Sequence, residues 1–220
     1  MAKYTEMTFV CPNCGREVDI PLLEAVDGVA DIELKQMIVD GTFGIYECPE
    51  CHDRMDINCQ LTYHDGSRGL MVWVMPPELS GGEEEEIADE NLLQTSAVLE
   101  QCAQRKVRDK NDLREKVLIA EAGRDDRIIE LMKPGVYTAL LDQVGERAIV
   151  AIYYERGDGE YFVVQLSSGE VGTIDFPQEM YEEIERRYGD IVRREAGGDE
   201  MRVIDNRWAA DFVQKYMMEK

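Results

Sequence analysis

Two short segments of the chain carry residues that can bind a metal ion. The first is CPNCG at residues 11–15 and the second is CPECH at residues 48–52. Two thiols at this spacing can hold one ion from the same side, and two such pairs supply four sulfur ligands. Zinc in structural sites prefers this closed tetrahedral set. The sequence therefore predicts one zinc ion held by Cys11, Cys14, Cys48 and Cys51.

The same four sulfurs leave two other kinds of chemistry open. Rubredoxin-like electron carriers hold one iron ion with four cysteines, so the sequence does not exclude iron as the metal. A thiol–disulfide exchange site would need a cysteine pair at the N-terminus of a helix, which lowers the pKa of the first thiol. Both pairs here are flanked by strand patterns and come as a matched set, which favours metal binding.

The remaining reactive side chains give no pattern typical of an enzyme. The chain has two histidines, His52 and His64, and it lacks the G-x-S-x-G and H-E-x-x-H motifs of hydrolases and metalloproteases. Cys59 and Cys102 stand alone, and an isolated cysteine is usually a small buried apolar residue. The sequence predicts no catalytic residue and no site for an organic cofactor, and it favours a non-enzymatic role.

Short strands must position the two cysteine pairs. Residues 8–10 and 17–20 predict a hairpin around the first pair, and residues 42–46 predict a strand that leads into the second. Pro12 fixes φ, and Gly15 can adopt the left-handed conformation that closes such a turn. Between the pairs we expect a helix capped by Asp31 and ended by Gly41. Residues 54–63 and 70–75 predict two further strands.

The rest of the chain divides into an acidic helical segment and a region of mixed pattern. Residues 76–86 indicate a linker, and residues 87–107 predict a helix. Asn111 or Asp112 is expected to cap the next helix, which is followed by a short helix that Pro134-Gly135 ends. Further elements are expected in the C-terminal region, as strands at residues 148–154, 161–166 and 171–174, a helix after Pro177 and a last helix from about Asn206.

The predicted fold class is α+β. It consists of an N-terminal zinc-ribbon-like β domain with an inserted helix (residues 1–78), central helices associated with it (residues 79–135) and a small C-terminal α+β module (residues 136–220).

The charge of the chain limits the kinds of partner that it is expected to bind. The chain has 46 acidic and 24 basic residues among 220, a formal charge of −22. Binding to nucleic acid or to an anionic membrane relies on clustered Lys and Arg, so neither partner is expected. The N-terminal residues show no secretory signal, which predicts a cytoplasmic protein whose thiols stay reduced.

Several segments together resemble the CpXC family of prokaryotic proteins. They are the two C-P-x-C pairs, residues 40–43 (DGTF), residues 63–65 (YHD), and the helical stretches 113–119 and 125–131. The resemblance covers roughly residues 5–133, implies metal-binding cysteines at Cys11, Cys14, Cys48 and Cys51, and implies no reaction. His52 departs from the family pattern, which usually has Gly after the second pair. We therefore expect a slightly strained or differently shaped second turn.

These observations predict a zinc-binding interaction or adaptor protein whose partner is another protein. The alternative is a rubredoxin-like iron protein or a thiol redox protein. The oligomeric state, the cellular pathway and the role of residues 136–220 are not predicted.

Overall fold

The computed structural model describes residues 2–77, 102–144, 148–195 and 202–218. Sheets and helices are combined in an α+β arrangement, as the sequence predicted. The chain divides into two compact units, Met1–Val117 and Leu118–Lys220. The predicted linker beyond residue 77 and the first part of the predicted helix at 87–107 lie outside the described residues.

The first unit is built on a five-stranded sheet with the strand order β1-β2-β5-β6-β7. Its strands are β1 (Lys3–Val10), β2 (Glu17–Asp27), β5 (Leu61–Asp65), β6 (Leu70–Val74) and β7 (Ala103–Val107). The pairs β1–β2 and β5–β6 are antiparallel, whereas β2–β5 and β6–β7 are parallel. All five residues of β6 are buried, because its apolar side chains are covered on both faces of the sheet.

The segment between the two cysteine pairs contains helix α1 (Ile32–Val39), followed by a small sheet of β3 (Ile45–Glu47) and β4 (Arg54–Asp56). Gly41, with φ of 71°, ends α1 as predicted. Asp31 is the N-cap residue of α1, as predicted, but its side chain accepts no bond from the helix and instead accepts one from the Asp27 amide. The single strand predicted at 54–63 is interrupted, because β4 pairs with β3 while β5 joins the main sheet.

Residues 103–107 were predicted as the end of a helix, and this prediction was wrong. They form β7, which runs parallel to β6 and pairs with it from Leu70↔Ala103 to Val74↔Val107. Arg105 and Val107 are buried in the sheet. Pairing with a fully buried strand outweighs the helical preference of this short segment.

Helix α2 (Lys110–Glu121) begins earlier than expected. Its cap is Asp109, whose Oδ1 accepts bonds from the amides of Asn111 and Asp112 at 2.8 and 3.0 Å, so the predicted capping by Asn111 or Asp112 was wrong. In the first unit, Lys110 donates to the Phe43 carbonyl at 3.2 Å and Arg114 donates to the Val39 carbonyl at 2.7 Å. These bonds anchor the first half of α2 to the insert that carries the second cysteine pair.

The second unit contains helix α3 (Asp126–Val144) and a three-stranded antiparallel sheet with the order β10-β9-β8. The strands are β8 (Ile149–Arg156), β9 (Glu160–Leu166) and β10 (Val171–Asp175). Helix α4 (Gln178–Glu195) and helix α5 (Asn206–Phe212) follow, and a π-helical turn (Val213–Met217) continues α5. These strands and helices confirm the elements predicted after residue 148.

Helix α3 continues through Pro134, where the sequence predicted a stop. The ring removes one backbone hydrogen bond. Met132 and Val136 are nevertheless buried on either side of it, and the Thr138 hydroxyl donates to the Pro134 carbonyl at 2.8 Å. Burial of the apolar helix face therefore outweighs the local cost of proline. Within the described residues, every helix is too short or too polar to cross a bilayer.

Candidate metal centre

The two cysteine pairs lie in turns of nearly the same backbone geometry. In the first, the Cys11 amide donates to the Arg16 carbonyl and the Gly15 amide donates to the Cys11 carbonyl, both at 2.8 Å. In the second, the Cys48 amide donates to the Asp53 carbonyl at 2.8 Å and the His52 amide donates to the Cys48 carbonyl at 2.9 Å. We call these turns the first knuckle (residues 11–16) and the second knuckle (residues 48–53).

The four sulfur atoms of the knuckles lie within 4.8 Å of one another. Cys11 Sγ is 3.7 Å from Cys51 Sγ, and Cys14 Sγ is 3.9 Å from Cys48 Sγ. A tetrahedral ion with metal–sulfur bonds of about 2.3 Å separates its ligand atoms by about 3.8 Å. The donor set and its spacing therefore fit one tetrahedral metal ion, and the four cysteines are positioned to bind it.

The centre has a buried side and an open side. Cys11 and Cys48 are fully buried, Cys51 is half-buried and Cys14 is exposed. The buried sulfurs rest on an apolar cluster formed with Val18, Ile20, Leu22 and Met55, and Phe9, Tyr46, Ile57 and Cys59 pack around it. Because the first cysteine of each knuckle is part of the apolar core, the centre and the surrounding fold depend on each other.

Backbone amides of the first knuckle lower the pKa values of its two thiols, because they point toward the sulfur atoms. The Cys14 amide lowers the pKa of Cys11 most strongly, burial opposes it, and the Asn13 amide adds to it, so that the pKa falls to about 7. The Arg16 amide lowers the pKa of Cys14, but burial and the neighbouring sulfurs outweigh it and raise that pKa to about 11. The turn thus favours the thiolate form of Cys11, and a bound cation would displace the proton of Cys14 into the solvent.

Two side chains connect the knuckles across the centre. Asn13 Nδ2 lies 3.7 Å from Cys51 Sγ, and the Arg16 guanidinium forms an ion pair with the Glu50 carboxylate. Asn13 and Glu50 occupy the same position in their respective knuckles, so each knuckle reaches the other through the residue before its second cysteine. No sequence pattern indicates these contacts, because only the folded turns bring the residues together.

A comparison with protein families matches residues 9–133 to the family described as CpXC protein. This match covers more than half of the chain. The chain belongs to the CpXC family. Neither the search of curated proteins nor the search of solved structures found a match.

The CpXC match contains both knuckles, and His52 follows its second cysteine. His52 has φ of 61°, and it is the one residue other than glycine with a positive φ in the described part of the chain. Its Nδ1 lies 2.7 Å from Glu47 Oε1, on an exposed surface. The second turn is therefore left-handed at a residue with a Cβ atom, which agrees with the expected strain, but its shape does not differ from that of the first turn.

The other cysteines of this CpXC chain lie apart from the centre or beneath it. Cys59 packs against the apolar cluster under the sulfurs, and burial raises its pKa. Cys102 Sγ lies 3.8 Å from His64 Nε2, and burial, followed by the charge of Asp65, raises the pKa of Cys102. A raised pKa keeps both thiols protonated at neutral pH, which disfavours a nucleophilic role.

Proposed function

We propose that this CpXC chain is a cytoplasmic, non-enzymatic interaction protein whose first unit is held together by one structural zinc ion. Cys11, Cys14, Cys48 and Cys51 would be its four ligands. The observation that supports this proposal most directly is the spacing of the four sulfurs, at 3.7 and 3.9 Å for the two contacting pairs. Four protein ligands fill a tetrahedral ion and leave no position for a substrate.

The environment of the sulfurs supports a structural role. Two of them are fully buried in an apolar cluster, where a thiolate pair without a cation would be costly. A bound zinc ion would supply two positive charges and tie β1 and β2 to β3 and β4 through the two knuckles. Its binding free energy would then be part of the folding free energy of the first unit.

The metal is tested directly on the purified full chain. Elemental analysis should find one zinc ion per chain, and protein loaded with cobalt should show the visible absorption of a tetrahedral cobalt–thiolate site. Iron at one ion per chain with a red colour would instead establish the rubredoxin-like alternative, which has the same sulfur geometry. Substoichiometric metal after reconstitution with zinc would contradict the proposed centre.

The structural role is tested by removing the ligands. Replacing all four cysteines by serine should abolish metal binding and the thermal transition of the first unit, while the transition of the second unit remains. Cys102→Ser is the control, because it removes a thiol outside the ligand set and outside the apolar cluster beneath it. An unchanged melting profile of the four-serine protein would contradict the scaffold role.

A further inference from the structure

Strand β1 is an end strand of the five-stranded sheet. The sheet order places β1 at its end, and within residues 2–77, 102–144, 148–195 and 202–218 its only paired strand is β2. The strand is eight residues long and contains no proline, and its one register irregularity lies at its beginning, between Lys3 and Tyr4. Natural edge strands are usually shortened, bulged or charged, because an open edge can pair with another strand.

Three of the exposed side chains of β1 are large and apolar. Tyr4 is 55% exposed, Met7 46% and Val10 63%. The edge on the other side of the sheet, β7, carries Arg105 and Lys106 at its centre. In β1 one lysine and one glutamate leave the strand without net charge in a chain of formal charge −22. A strand without net charge is therefore suited to contact a second acidic chain.

We propose that β1 is a dimerisation edge, at which it pairs antiparallel with β1 of a second copy of this chain. The spacing of the exposed residues is self-complementary. A two-fold axis at Met7 places Met7 opposite Met7 of the other copy and places Tyr4 opposite Val10 in both halves. In this register Glu6 faces Thr8 and no like charges lie directly opposite each other.

Charge selects this register over its neighbours. In a joined sheet, the core-facing side chains of both copies must lie on the same face. The two-fold axis can therefore move along β1 only from one residue to the next, so one step in register moves the axis by one residue. A shift of one step toward the start of the strand places Glu6 opposite Glu6 of the other copy, and a shift of one step toward its end shortens the pairing to residues 6–10. The pairing centred on Met7 thus gives the longest contact that avoids a directly opposed glutamate pair.

Sedimentation of the full chain over the micromolar range tests the proposal. We expect a dimer that tightens as salt rises, since salt screens the repulsion between two chains of formal charge −22. Met7→Glu and Met7→Lys should each weaken the dimer at least about tenfold, because each places two like charges at the axis. Val171→Glu is the control at an exposed valine of another end strand, β10, and it should leave the dimer unchanged.

Mixing the two variants makes the test specific to the axis. Equal amounts of Met7→Glu and Met7→Lys should restore dimers, because opposite charges then meet at position 7. Circular dichroism and metal content confirm that each variant is folded, and Tyr4→Glu provides the same test farther from the cysteines. A monomer at all concentrations, a larger assembly, a dimer insensitive to Met7→Glu or Tyr4→Glu, or a mixture that fails to recover would overturn the proposal.

Discussion

Gly15 and His52 occupy equivalent positions in the two knuckles, and both have left-handed backbones, with φ of 70° and 61°. Glycine adopts this conformation without strain, whereas a side chain with a Cβ atom does not. The second knuckle thus carries a local cost that the first does not, and the rest of the centre holds it in place.

His52→Gly should stabilise the first unit by about 1 kcal/mol, because it relieves the left-handed strain at φ of 61°. The loss of the exposed contact with Glu47 offsets little of this gain. Chemical denaturation of the metal-loaded protein measures the difference. His52→Ala is the control, since it removes the ring but keeps the Cβ atom and should not give the same gain. Equal stabilisation by both variants would contradict the backbone explanation.

The ion pair between Arg16 and Glu50 should slow metal release by holding the knuckles together. Both side chains are exposed, so their contribution to overall stability is small. We expect Glu50→Gln to speed metal transfer to a chelator by about threefold, a change that lies within the usual range for an exposed surface pair. The charge-exchanged protein, Arg16→Glu with Glu50→Arg, should recover most of the slow rate. Removal of the exposed pair Lys3–Glu24 by Glu24→Gln is the matched control and should leave the rate unchanged.

The buried carboxylate of Asp65 should be the polar group on which the first unit depends most. Asp65 is 1% exposed, and it accepts bonds from Lys35 Nζ at 2.7 Å, from the Ser67 hydroxyl and amide, and from the Arg68 amide. Burial raises the pKa of Asp65, but the bonds from Lys35 and Ser67 outweigh this effect and lower it. Asp65→Ala should cost about 3–5 kcal/mol, the range for breaking one side of a buried ion pair.

Asp65→Asn separates charge from hydrogen bonding at this position. It keeps an acceptor for the Ser67 and Arg68 amides and loses the charge that faces Lys35. We therefore expect a loss smaller than that of Asp65→Ala, measured by urea unfolding of the metal-loaded chain. Equal stability of Asp65→Ala and the parent protein would show that the charge and its bonds are dispensable.

In the second unit, the pair Arg124–Glu160 should make stability depend on pH. Arg124 donates to both carboxylate oxygens of Glu160 at 2.9 and 2.7 Å, and its guanidinium lies 4.7 Å from the ring centre of Tyr181. The bonds from Arg124 hold the pKa of Glu160 below its usual 4.5. Glu160 therefore contributes stability above its unfolded pKa, and this contribution is lost as pH falls through its lower folded pKa.

Glu160→Gln measures that contribution. At pH 7 the variant should be less stable by about 1–3 kcal/mol, the range for a charged hydrogen bond. The difference between the two proteins should shrink as pH drops below 4.5, the usual pKa of this carboxyl. Thermal unfolding of the second unit measures this difference in stability. The second unit contains none of the four clustered cysteines, so metal binding does not complicate the measurement. A difference that stays constant down to pH 3 would contradict the assignment.

The cysteine pairs and the α+β class could be predicted because each rests on local information. Spacing identified the four cysteines, an uninterrupted apolar run identified β6, and two apolar runs separated by a short turn identified the β8–β9 hairpin. Gly41 ended helix α1 as its chemistry indicated. The strain expected at His52 followed from its place after the second pair, where the CpXC pattern usually has Gly.

Other features depended on parts of the chain that are distant in sequence. The residues of β7 have a helical preference that is overruled by pairing with β6, and α3 crosses Pro134 because its apolar face is buried on both sides. The contacts of Arg16 with Glu50 and of Lys35 with Asp65 join positions 34 and 30 residues apart. No pattern within a short window of sequence indicates such pairs.

Cys14 and Cys48, whose sulfurs meet at the centre, are 34 positions apart, and helix α1 lies between them. An ion shared by the two knuckles would close this stretch into a loop and deprive the denatured chain of much of its freedom, as a disulfide of that span does. The lifetime of the native first unit would then follow the rate at which the ion escapes. Refolding without metal would have to close the same loop unaided.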